Sequence, residues 1–143
     1  MLSAALDQLG LDLGITLPGD FRRELADPAV HEAFRSAMLD ANPKLAGDDA
    51  VGDTVARLRQ GNRGFRASAR WRGWEDQTQG MPEGSDGEKA WPRHWFWVGG
   101  NFSGDAYFLD LSRDPAPVAF WSHESLSCRV EKPSFVAWAA RIP

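Results

Sequence analysis

The chain has 143 residues and a mass of 15.8 kDa, with 43% hydrophobic residues and a formal net charge of -4. Two domains of half that length would each be marginal, so a single domain over residues 1–143 is expected. No run approaches the roughly 18 to 20 apolar residues of a membrane span, the lone Cys128 cannot form an internal disulfide, and Asp7 and Asp12 interrupt the N-terminal leucines where a secretion signal needs an apolar stretch. A cytoplasmic protein without a membrane partner is the expectation.

Leu2, Ala5, Leu6 and Leu9 recur at helical spacing, and Gly10 is read as the end of a short first helix. In the following LGITLPGDFRREL, Pro18 suits the first turn of a second helix and places Phe21 and Leu25 on one face. Asp27 and Pro28 read as cap and first position of a third helix, whose inward stripe is Val30, Phe34, Ala37, Met38 and Ala41. Asp53 is read as the cap of one more short helix, broken at Gly61-Asn62. Next, Phe65, Ala67, Ala69 and Trp71 alternate with Arg66, Ser68, Arg70 and Arg72, which predicts a half-exposed edge strand over 65–72. The Gly-rich acidic segment 75–89 is read as a mobile loop.

From His94 to His123 the sequence predicts three strands, 94–98, 106–111 and 118–122, separated by turn formers and therefore arranged as an antiparallel meander. Strand alternation puts Phe96, Val98, Tyr107, Leu109, Leu111, Val118 and Phe120 on one set of faces, and Trp95, Trp97, Ala106, Phe108, Ala119 and Trp121 on the other. Both sets are apolar, so the sheet is either covered on both sides or carries an exposed aromatic patch. After Pro133 a final helix carries Phe135, Trp138, Ala139 and Ile142 on one face and is expected to lie on the sheet. The fold class expected is α+β: a mainly antiparallel sheet, made of the meander 94–123 plus strand 65–72, packed with N-terminal helices and a C-terminal helix.

Five features in order resemble one family. They are the LGI-x-LP-x-DF segment at Leu13 to Phe21, the aromatic strand and Gly-rich turn from Trp95 to Gly104-Asp105, and the strand Tyr107 to Asp110 ending in Leu-Asp. The return strand Val118 to Glu124 ending in His-Glu and the SF-x-x-W helix Ser134 to Trp138 complete them. Together they look like the SUKH superfamily, which includes the yeast cell-wall glucan-synthesis regulator and, among its bacterial members, many immunity proteins of polymorphic toxin systems. The pattern covers about half the chain, at both ends, and Pro28 to Pro92 departs from it. The resemblance implies an α+β domain that binds a cognate toxin, often a nuclease, and blocks it without catalysis of its own. An intracellular ligand-binding or regulatory module is the alternative. Pro18, Gly104, Asp105, Asp110, Phe135 and Trp138 are read as structural motif residues, with Gly104 allowing a tight turn and Asp105 bonding nearby amides.

Other constellations fail on spacing. His94 and His123 lack a Cys, Asp or Glu set at ligand spacing, so no metal or other cofactor is expected. Consecutive Ser122, His123 and Glu124 point to alternate faces and cannot line up as a triad, so no catalytic residue is assigned. The glycines from Gly99 to Gly104 lack the Lys-Ser/Thr of a phosphate loop and read as a hairpin. The seven tryptophans also suit a sugar-binding module, but such residues more often fill cores or anchor protein interfaces.

Charge is distributed in blocks. Residues 1–53 carry 10 acids and 4 bases, residues 54–74 carry 6 Arg and no acid, and residues 75–90 carry 5 acids and 1 Lys. The acidic total and the absence of a recognition motif speak against nucleic acid as the partner of the arginines, which are read as a solvated strand face. Because a nuclease toxin needs a basic surface for its substrate, the acidic loop with Glu75, Asp76, Glu83, Asp86 and Glu88 is the expected partner-binding surface. Trp74 and Trp91, which flank it, are its expected anchors.

Overall fold

Both faces of the central strands are apolar, and the chain covers them with two different kinds of structure. The computed structural model describes residues 2–78, 87–101 and 103–140. Helices α1 (Leu2–Leu13), α2 (Gly19–Ala26), α3 (Pro28–Met38) and α4 (Gly47–Ser68) precede the main sheet. Then come β1 (Arg70–Trp71), β2 (Gly73–Trp74), the single turn α5 (Glu75–Thr78) and β3 (Lys89–Ala90). The meander β4 (Trp95–Gly100), β5 (Ala106–Asp110) and β6 (Val118–Trp121) is followed by β7 (Ser127–Lys132) and α6 (Phe135–Ala139). The main sheet has the order β2-β7-β6-β5-β4, antiparallel except for the short parallel β2-β7 contact. The expected α+β class with a mainly antiparallel sheet is therefore present. Among the described residues no helix is long and apolar enough to cross a membrane.

The two faces separate as strand alternation requires. Register pairs Phe96 with Leu109 and Leu109 with Val118 on one face, and Trp97 with Phe108 and Phe108 with Ala119 on the other. The first face packs with Leu6, Leu9, Phe21, Leu25, Phe34, Leu58, Phe135 and Trp138 of the helices. Phe21 meets Phe34, Phe96 and Phe135 edge to face at centroid distances of 6.2, 5.4 and 4.8 Å, an arrangement favoured by the ring quadrupoles. Helix α6 begins where Ser134 Oγ accepts from the Ala137 amide at 3.2 Å, and it buries both Phe135 and Trp138 as expected. The second face has an almost entirely aromatic cover, in which Trp91, Trp95, Phe108 and Trp121 pack with Phe65, Trp71, Trp74 and Trp97.

Several expected boundaries move, each for a physical reason. Helix α1 runs through Gly10 and stops at Gly14, whose φ of +70° lets the Ile15 amide reach the Gly10 carbonyl at 2.9 Å and satisfy the helix end. Asp53 caps nothing, because α4 already starts at Gly47 with Asp48 and Asp49 in its first turn. The edge strand over 65–72 is also corrected: residues up to Ser68 are helical, and only Arg70 and Trp71 are extended, paired with β3 in a separate two-stranded ribbon. Of the loop 75–89, Glu75–Thr78 forms a helical turn and Lys89–Ala90 a strand.

Gly61-Asn62 does not break α4, and the reason lies in the edge strand beside it. Asn62 is fully buried, its Nδ2 donates to Trp97 O at 3.0 Å and to Leu58 O at 2.8 Å, and its Oδ1 accepts from Trp97 N at 2.7 Å. One side chain thus answers both backbone groups of Trp97 on the strand side that no other strand covers. Such an approach needs Gly61, because a Cβ there would overlap the Trp97 ring. Propensity disfavours a Gly-Asn pair in a helix by a total of about 1–2 kcal/mol, less than the desolvation of two unpaired backbone groups at about 1–3 kcal/mol each.

This predicts a reversal of sign along one helix. Gly52→Ala and Gly64→Ala, where an added Cβ meets nothing within 4 Å, should stabilise the protein by about 0.5–1 kcal/mol. Gly61→Ala should destabilise it, and Asn62→Ala should cost about 2–4 kcal/mol. Urea unfolding of the four variants checks this, and a neutral Asn62→Ala would show that the strand edge does not depend on Asn62.

Candidate functional site

The expected partner surface is divided by the fold. Glu75, Asp76 and Glu88 are exposed, whereas Glu83 and Asp86 lie outside the described residues. Trp91 is corrected from anchor to core: it is 3% exposed and packed against Phe65, Trp95, Phe108 and Trp121. Trp74 is half-buried against Trp95 and Phe108, with the Arg113 guanidinium 5.3 Å from its ring centre. Burying two indoles on a small sheet outweighs leaving them for a partner, at roughly 25 cal/mol per Å² of apolar surface removed from water.

The arginine block is likewise not a solvated strand face. On α4, Arg57 bonds Asp53 at 2.8 Å and Arg59 reaches Asp12 at 3.0 Å, while Arg66 donates to the carbonyls of Leu13 at 2.7 Å and Arg93 at 2.8 Å. Its acidic partners therefore come from the N-terminal helices and from α4 itself, and the arginines fasten α4 to its surroundings. Nearest the acidic segment, Arg129 on β7 has its pKa raised, first by its bond to Glu131, against the opposing effect of burial, and more weakly by the charges of Glu131 and Glu75.

The motif residues assemble into structural fastenings. Pro18 is the residue from which α2 starts, and its carbonyl accepts from the Arg22 amide at 3.2 Å. Gly104 has a φ of +99°, and a side chain there would press on the His123 ring. Asp105 Oδ1 accepts from the His123 amide at 2.9 Å and lies 2.6 Å from His123 Nδ1, while its Oδ2 accepts from Asn101 at 3.0 Å. This carboxylate ties the β4-β5 hairpin to the turn after β6. Burial opposes its ionisation, yet the bonds from Asn101 and His123 outweigh burial and hold its pKa below the ordinary aspartate value. Asp110 is buried and accepts from the Ser112 hydroxyl at 2.6 Å and amide at 3.1 Å, with Arg113 at 3.3 Å.

His123 and Asp105 have the pairing of a general base and its orienting acid, a contact between distant residues that spacing alone did not bring together. Among the described residues no hydroxyl or thiol bonds the other ring nitrogen of His123. Cys128 is buried in the aromatic cluster, and burial pushes its thiol up to about 12, far from the thiolate that reactivity needs. His94 lies 3.9 Å from Asp110 and so pairs with a different carboxylate from His123. Among the described residues there is no group of three or more potential metal ligands.

Two concavities stand out among the described residues. One, of about 560 Å³, lies between the end of α4 and the β6-β7 turn, with Phe65, Trp121 and Leu126 as apolar lining and both Arg70 and Glu88 among the residues around it. The other, of about 640 Å³, lies between α3, the link 39–46 and the first turn of α4, reaching Leu2 and Leu25. Arg35 lies in its floor, 5% exposed, donating to Ala50 O at 2.7 Å, Thr54 Oγ1 at 2.8 Å and Asn42 O at 3.3 Å, with Asp53 at 3.1 Å. Burial works against ionisation of Asp53, but Arg57 and Arg35 together hold its pKa below the ordinary value. His31 lies within bonding distance of Thr54 Oγ1, at 2.8 Å, and its pKa is lowered first by burial and then by Arg35. No sequence signal marked this groove, because its walls come from three separate segments.

Compared with known proteins, the chain matches no family model, no curated protein and no solved structure.

The Asp105 fastening sets a pH dependence. Its folded pKa lies below the unfolded value of about 3.8, so the stability it contributes is complete above that value and is lost as pH falls through the folded pKa. Asp105→Asn should therefore cost about 1–3 kcal/mol at neutral pH, and the gap between variant and wild type should narrow as pH falls below the ordinary aspartate value and through the folded pKa. Denaturant melts across the acid range measure it; a gap independent of pH would assign the loss to packing.

Proposed function

We propose that the chain is an immunity-type binding protein of the SUKH kind, which neutralises a cognate toxin, such as a nuclease, by direct protein-protein binding in the producing cell. The observation that carries this reading is the role of the motif residues. Gly104, Asp105 and Asp110 hold turns, and Phe135 and Trp138 sit in the core. A motif spent on the scaffold fits a family whose members share a fold and differ in partner, and it leaves the surface of the unmatched middle region to choose that partner. The acidic balance of the first 53 residues, 10 acids against 4 bases, suits a basic toxin surface.

The decisive assay is protection. Cells expressing the toxin domain encoded beside this gene should survive when the chain is co-expressed, and the two proteins should elute together in a stoichiometric complex. If no neighbouring frame encodes a toxin domain, or if the chain neither protects against it nor binds it, the reading fails. A ligand-binding module without catalysis is the second reading, favoured by the cavity of about 560 Å³ beside Phe65 and Trp121, which is of small-molecule size. It predicts a metabolite that raises the melting temperature of the wild type and has no effect on Gly64→Trp, a variant that fills the cavity.

A further inference from the structure

We propose that the groove between α3 and the first turn of α4 is the docking site for a basic amphipathic segment of the partner protein. An apolar side chain of that segment would enter against the half-buried Leu45 and Val51, and its lysines or arginines would face Glu32 and Asp48. The inference rests on the immunity reading for its partner and on the groove itself for the chemistry.

The charge around the groove is lopsided beyond what the fold uses. Residues 27–51 contain five carboxylates against Arg35 and Lys44. Arg35 faces inward and is consumed by Asp53 and three oxygen acceptors, so outward the groove is more acidic than the count states. Among the described residues Glu32, Asp48 and Asp49 form no ion pair, although six arginines follow on 57–72. Three of those arginines are held elsewhere, Arg59 by Asp12, Arg57 by Asp53 and Arg66 by backbone carbonyls. Asp48 and Asp49 also offset the positive end of α4, which Ala46 leaves without a side-chain cap. Glu32 has no such duty: it stands in the second turn of α3, exposed, and lines the groove from the opposite wall.

Apolar lining and unpaired carboxylates together select a cationic amphipathic occupant. An anionic ligand or nucleic acid would meet repulsion, and a purely charged one would leave Leu45 and Val51 unused. The groove is also preorganised. Asp27 caps α3 by accepting from Ala29 N at 2.9 Å, and Arg35 fixes α3 to Ala50 and Thr54 of α4, so little ordering opposes binding.

The test titrates the isotopically labelled full chain with a synthetic leucine-lysine amphipathic peptide, following amide shifts. Shifts are expected at His31, Glu32, Leu45, Asp48 and Val51, and the double variant Glu32→Lys/Asp48→Lys should weaken binding about tenfold or more at low salt, less at high salt. Glu124→Lys, on the β6-β7 turn, should bind as wild type, and the double variant should keep a cooperative melt. Shifts elsewhere, no shifts, or an unaffected double variant overturn the proposal. The same variants are then measured against the toxin domain from the protection assay, where an equal loss of affinity supports the groove and undiminished binding by the double variant rejects it. Peptide binding without protection would sink the immunity reading alone.

Discussion

The fold depends on how one strand edge is closed. Strand β4 has β5 on one side and, in place of another strand, the long helix α4 on the other. A helix presents side chains, not a ladder of donors and acceptors, so it normally covers an edge without bonding it. Asn62 resolves this by turning its amide into a one-residue strand for Trp97, and Gly61 brings the helix near enough for that amide to reach. Where the next helix end approaches, at Met38, β4 carries a bulge between Trp97 and Gly99, and Gly99 has a φ of +134°. A side chain at Gly99 would come within 2.5 Å of Met38 O. Edge and helices are thus fitted through two glycines and one amide.

That closure explains why α4 is as long as it is. To reach Trp97 and then Phe65, which stacks 6.0 Å from the Trp97 ring, the helix must cross from the aliphatic core to the aromatic one. Arg57, Arg59 and Arg66 hold it along the way, answered by its own preceding turn, by α1 and by the carbonyls of Leu13 and Arg93. Salt bridges at exposed positions contribute at most about 1 kcal/mol, so their role here is to orient an element whose apolar stripe continues beyond one core. The buried Arg35 is a stronger constraint, since removing its acceptors leaves a charge without water.

For function, the consequence is a division of labour across the molecule. The aromatic side is used internally, with indole N–H groups of Trp71 and Trp121 donating to the carbonyls of Ala90 and Arg70 at 3.0 Å each. Several basic groups are likewise turned to the interior or to nearby acids, among them Arg35, Arg57, Arg59 and Arg66. Among the described residues Glu32, Asp48 and Asp49 of the helical layer are in no ion pair, and Glu32 and Asp48 border a groove with apolar lining.

Strand alternation by itself determined which residues form each face of the meander, because period-two geometry leaves no other assignment once the strands are placed. It likewise settled the Asp27-Pro28 start of α3 and the buried pair Phe135 and Trp138, which rest on local capping and a helical stripe. Tertiary structure alone decided the course of α4: read locally, Gly61-Asn62 is a stop and 65–72 a strand, and only contact with Trp97 makes both helical as far as Ser68. It also decided that Trp91 is core and not anchor, since a flanking indole looks the same in sequence whether it meets solvent or Trp95. The groove beside Arg35 was illegible for the same reason, being a meeting of α3, the link and α4 that no single stretch of chain encodes.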